Sequence, residues 1–135
     1  MEKNTNSVLQ MVDFYFSSIS FKQKKDYLGE LKLNIFHNIE HQKNTENDSM
    51  FRVIITTSVK DQEGYLDLEV VSTGVFQITD PEIDESLKHS LVELNTVAIM
   101  FPYIRSEVSI ITAQPGLMPI LIPVVDVNKL VRTDN

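Results

Sequence analysis

The residues able to carry chemistry are His37 and His41, the pair His89-Ser90, and the carboxylates Glu82, Asp84 and Glu85. On a helix, His37-x3-His41 would have metal-ligand spacing. Zinc sites use three or four ligands, however, and this pair stands at the end of a strand-like run beside a polar turn, with no third ligand near it. His89-Ser90 suggests a base beside a nucleophile, yet no G-x-S-x-G elbow accompanies it, and adjacent helical side chains point about 100° apart. The three carboxylates open a helical stretch, where negative charge complements the positive end of the macrodipole. The chain has no cysteine, which removes disulfides, thiolate nucleophiles and cysteine zinc sites together. Its four glycines form no phosphate-cradling loop. No catalytic residue, metal or cofactor is therefore expected, and the sequence reads as that of a binding protein.

What binding would use is apolar shape. The run VAIMFPYIRSEVSIITAQPGLMPILIP, residues 97–123, starts as an apolar helix and ends as an extended Leu/Met/Ile segment punctuated by prolines. Pro119 and Pro123 keep that segment out of a central strand. It either straps across the core or lines a groove or interface. Met118 favours the second use, because methionine is flexible and polarisable enough to accept many partners.

The elements that must position this run come before it. Leu9–Phe21, rich in aromatic and β-branched residues, predicts a first strand, and residues 22–29 a lysine-rich loop. In Glu30–Glu40, Leu31, Leu33 and Ile35 alternate with Lys32 and Asn34, the period of a strand with one buried face. Met50–Lys60 places Phe51, Val53, Ile55 and Val59 on one face. Gly64 supplies the turn of a hairpin into Tyr65–Thr79, where Leu66, Leu68, Val70, Phe76 and Ile78 are in phase and Gly74 marks a bulge or a close backbone approach. Asp80 then suits an N-cap with Pro81 at the first helical position. Ile83, Leu87, Leu91, Leu94, Ala98 and Phe101 form one helical stripe. Pro102 is expected to break that helix and start another, striped by Ile104, Val108 and Ile111 and ended by Gln114-Pro115-Gly116. Asp126 could cap a last turn through Leu130. Strands first and helices last predict an α+β fold, a four-stranded antiparallel sheet with a broken long helix packed on one face.

The 135 residues suit one domain, with residues 1–8 and 131–135 expected to be flexible. With 12 Lys+Arg against 19 Asp+Glu the net charge is −7, which disfavours nucleic acid as a partner. No signal-like or membrane-spanning run occurs, so a soluble cytoplasmic protein without membrane insertion is expected. A small sheet-plus-helix enzyme would place a helix early among its strands, and the helical pattern here follows all four.

In this order of signals the chain resembles the SecB family of protein-export chaperones. The likeness rests on S-I-S-F (18–21), G-V-F-Q-I (74–78), F-P-Y-I-R-S-E (101–107) and P-G-L-M-P-I-L-I-P-V (115–124) leading into V-N-K-L, and runs from about Val12 to Leu130. It implies a homo-oligomer, a dimer of dimers with helices sandwiched between sheets. It also implies ATP-independent binding of unfolded polypeptides, such as preproteins for export, in long hydrophobic grooves, and transfer to the motor SecA. By position the groove falls on Leu33, Ile35, Phe101, Tyr103, Leu117, Met118 and Ile120, and the SecA-like surface on Asp67 and Glu69. Ser18 and Lys22 stand where the family carries carboxylates, the loop after the first strand is short, and the sequence stops at Asn135. Client binding is thus better supported than SecA docking, and a dedicated chaperone for one partner, such as an antitoxin, is the alternative.

Overall fold

The computed structural model describes residues 8–24, 30–123, 126, 127 and 129. Four strands, β1 (Leu9–Gln23), β2 (Leu33–Lys43), β3 (Met50–Asp61) and β4 (Leu66–Ile78), form one antiparallel sheet in the order β1-β4-β3-β2. Then come α1 (Glu85–Ser90) and α2 (Thr96–Thr112), joined by a π-helical turn at Leu91–Asn95, and Val127 and Lys129 are helical as well. β1 and β2 lie at opposite edges of the sheet, about 14 Å apart at ordinary strand spacing. The expectations for residues 1–7, 25–29, 124, 125, 128 and 130–135 lie outside the described residues.

The alternation in β3 and β4 works as the sequence implies. Val53, Ile55 and Val59 on β3 and Leu66, Leu68, Val70 and Phe76 on β4 are fully buried beneath Val97, Met100, Ile104 and Val108 of α2. Gly64 takes φ 82° in the β3–β4 turn. Buried Asp61 ties that turn down: Glu63 N and Tyr65 N donate to its Oδ2 at 3.1 and 3.3 Å, and Lys32 N to its Oδ1 at 3.0 Å. Gly74 does not interrupt β4. It is a close approach: a Cβ there would lie 2.7 Å from the Phe76 ring and 2.9 Å from Met100 Sδ, so α2 rests where a side chain is missing.

β1 departs from a period of two. Its register slips between Met11 and Asp13 and again between Phe16 and Ser18, so Val12 and Ser17 are extra residues. Each bulge resets the phase, and the helix-side positions become Leu9, Met11, Phe14, Phe16, Ile19 and Phe21.

The helical layer corrects three expectations. Asp80 does not cap the helix; it accepts from Glu82 N at 3.0 Å in a turn, and Asp84 is the N-cap, accepting from Leu87 N at 3.3 Å. The single stripe through Leu87 and Ala98 also fails, since both are exposed. The π turn inserts one residue, which rotates everything after it by about 100°, and the buried stripe becomes Val97, Met100, Phe101, Ile104 and Val108. Finally, α2 runs through Pro102 without a break. Pro102 and Ala98, whose carbonyl the proline leaves without its helical donor, are both exposed. Water can take the missing bond there, so the usual penalty for an interior proline is reduced.

Candidate polypeptide-binding site

The F-P-Y element straddles the ridge of α2. Phe101 leans towards the β2 edge, its ring edge-on to buried His37 with centroids 4.8 Å apart. Two residues on, Tyr103 lies on the other flank and packs on Phe14 of β1 at 5.1 Å; Phe14 in turn meets Phe16 edge-on at 5.2 Å. The expected groove residues therefore divide. Leu33 and Ile35, half-buried on the helix side of β2, share a flank with Phe101, whereas Tyr103 belongs to the β1 flank because positions i and i+2 on a helix point about 200° apart.

After α2 the chain turns through Gly116 (φ 83°) and runs back along the β2 flank. Ile120 N donates to Thr112 Oγ1 at 2.8 Å, Ser109 Oγ donates to Ile120 O at 3.1 Å, and Arg105 Nε donates to Ile122 O at 3.1 Å. Thr112 Oγ1 itself donates to Val108 O at 2.7 Å, which leaves its lone pair to accept from the strap. Ile120 and Ile122 point into the core, while Met118 and Leu121 stay 84% and 77% exposed and Leu117 is half-buried. The segment thus alternates, a core strap on one side and open apolar surface on the other. Val124 and Val125 lie outside the described residues.

Sequence reasoning missed Arg105, Ser109 and Thr112. Their signal was the 105/109/112 spacing, one helix flank by the i, i+4, i+7 rule, facing an alternating strap.

The histidine pair is structural. Positions four apart on a strand stand about 13 Å apart. His37 Nδ1 pairs with Thr57 Oγ1 at 2.9 Å, and His41 Nδ1 lies 3.6 Å from Glu93 of the π turn. Among the described residues no group of three potential ligands could hold a metal. Nor is any helix there long and apolar enough to cross a membrane.

Asp67 and Glu69 lie on the sheet face opposite the helices. Asp67 sits in register between Lys22 and Lys60, and Glu69 between Ser20 and Ser58. Cross-strand neighbours stand about 5 Å apart, so two lysines offset the one carboxylate and the acidic surface is weak.

The chain belongs to the SecB family: the family model described as preprotein translocase subunit SecB matches residues 2–135. It is 30% identical over 129 residues to the uncharacterised protein MJ0357 of Methanocaldococcus jannaschii, covering 93% of this chain and 79% of that one. It is also 30% identical over 87 residues to the protein-export protein SecB of Orientia tsutsugamushi strain Boryong, a match covering 62% of this chain and 53%, about half, of that protein. Among solved structures, the Rv1957 SecB-like chaperone of Mycobacterium tuberculosis, in complex with a ChAD peptide from the Rv1956 HigA1 antitoxin, superposes with a TM-score of 0.70 at 15% identity, covering 89% of both chains. The fold is thus the SecB-like one, a four-stranded antiparallel sheet with a helical layer, and the chain is a SecB-like chaperone in a family that is not catalytic.

Proposed function

We propose that this chaperone serves one protein partner, such as an antitoxin, holding an extended segment of it on the β2 flank of α2 without docking to a SecA-type motor. The observation that carries the reading is the apolar surface left on that flank after the chain has folded: exposed Met118 and Leu121 above, half-buried Leu33, Ile35 and Leu117 beside them, and Phe101 and Ile120 as floor. The antitoxin peptide bound by the similar mycobacterial chaperone supports a dedicated partner. The weak charge of the Lys22-Asp67-Lys60 row argues against a motor site on Asp67 and Glu69.

With no nucleotide loop in the sequence, holding proceeds by mass action. Each contact is weak, because apolar burial at about 25 cal/mol/Å² is offset by ordering the client. Oligomerisation turns weak contacts into avidity. The β1 side is the surface we assign to a second copy: among the described residues no strand pairs with the outer edge of β1, and Tyr103 and Ile110 are 50% and 63% exposed. The second reading, general export of preproteins, is favoured by the export-protein names of the Orientia relatives.

The test is suppression of aggregation for several unrelated denatured proteins and for the product of a neighbouring gene, with light scattering to give the oligomeric state. Protection confined to the neighbour's product supports the dedicated role; equal protection of all overturns it in favour of a general holdase.

A further inference from the structure

The strap at residues 117–123 is bonded as a client would be. In an extended chain the N–H and C=O of one residue point to the same side, and residues i and i+2 share that side. Ile120 N, Ile120 O and Ile122 O all point to α2, where Thr112, Ser109 and Arg105 meet them. The same two residues send their side chains into the core, and Leu121 between them points out. Nothing in these contacts reads the strap's own sequence beyond two apolar side chains two positions apart. The bonds to α2 involve main-chain atoms of the strap, which every polypeptide supplies except for the N–H of proline.

The strap's other edge is blunt. Alternate residues 119, 121 and 123 present their main chain away from α2, and two of the three are prolines without an N–H. A further strand cannot build a regular ladder on such an edge. An incoming segment therefore gains little by adding to the strap and much by taking its place.

We propose that Thr112, Ser109 and Arg105 form a backbone-reading ladder for extended polypeptide with apolar residues at i and i+2, and that the strap is its resident occupant, exchanged for client. This rests on the client-holding reading above and specifies how the site is filled. The strap is then a competitor that raises the apparent dissociation constant by the inverse of the fraction of time the ladder is vacant. It also keeps the buried Ile120 and Ile122 positions from lying open between clients.

The experiment uses the full chain and, as probe, whichever binds of the neighbouring gene's product and reduced, carboxymethylated lactalbumin, which stays unfolded. Hydrogen exchange is followed at the Ile120 amide, held at rest by Thr112. Exchange predicts that saturating probe speeds this amide by about tenfold or more, as local opening replaces protection, while amides of β3 and β4 are unchanged. An Ile120 amide that is unchanged or slowed means the strap is a fixed wall of the site, and overturns the proposal. In a second arm, Ile122→Ala loosens the occupant and should tighten probe binding by about tenfold, whereas Ser109→Ala, which takes the same bond from occupant and client alike, should leave it within about twofold. Weaker binding by Ile122→Ala also overturns exchange. If wild-type protein binds neither carboxymethylated lactalbumin nor the neighbouring gene's product, the client-holding reading itself fails, and exchange falls with it.

Discussion

Along the β2 flank of α2, Phe101 meets a histidine, and the helix's own Arg105, Ser109 and Thr112 bond Ile122 O, Ile120 O and Ile120 N of the chain's extended strap. Along the β1 flank the helix meets aromatic rings, Tyr103 tilted against Phe14, and beyond them Ile110 stays exposed. One helix thus carries a polar, bond-counting side and a greasy, undemanding side. The first suits a segment that must be held by its backbone and released. The second suits a surface covered once, on assembly, by a copy of the same chain.

The largest break in this contrast comes from truncating one apolar residue on each side. Ile122 is 2% exposed, and Ile122→Ala should cost about 2–4 kcal/mol of unfolding free energy in urea titrations. Ile110 is 63% exposed, and Ile110→Ala should change monomer stability by less than about 0.5 kcal/mol, while shifting the oligomer towards smaller species in light scattering. Equal costs at the two sites would mean that the flanks do not differ as described.

Gly74→Ala acts beneath both flanks. Its Cβ must displace the Phe76 ring and Met100 Sδ, at about 1–3 kcal/mol by thermal or urea unfolding. It should lift α2 from β4 and so weaken client holding and assembly together. Thr57→Val sharpens the contrast from the β2 side alone. It removes the hydroxyl from His37 Nδ1, should cost about 1–2 kcal/mol, and should leave light-scattering mass unchanged because β1 is untouched.

How much of this was readable in advance follows from phase. β3 and β4 carry uninterrupted alternation, and their core residues are where the period places them. β1 holds two bulges, and nothing in Val12 or Ser17 announces an extra residue, so its facing could not be counted. The π turn is equally silent: Leu91–Asn95 looks like ordinary helix, yet it moves the buried stripe from Leu87 and Ala98 to Val97 and Met100. Pro102 misled for a related reason. A proline's cost depends on whether its orphaned carbonyl faces water, and only the packed structure says that Ala98 does. The division of F-P-Y between flanks follows once the helix is known to continue, since Phe101 and Tyr103 can share a groove only if the helix ends between them.

A small effect on stability, and the sharpest on function, lies on the far face of the sheet. Lys22 and Lys60 flank Asp67 in register, so the row carries one net positive charge. Lys22→Glu with Lys60→Glu makes it three negative, joined to Glu69 one row away. Like charges across strands destabilise by less than about 1 kcal/mol, and the core is untouched because all four side chains point to solvent. If negative charge on this face is what a SecA-type motor needs, the double variant should bind purified SecA in low salt where the wild type does not, and lose that binding as salt screens it. Client holding on the helical face should be unaltered in the same protein. Binding of SecA by the wild type at equal strength would instead show that the lysines do not block the face, and would return the chain to general export.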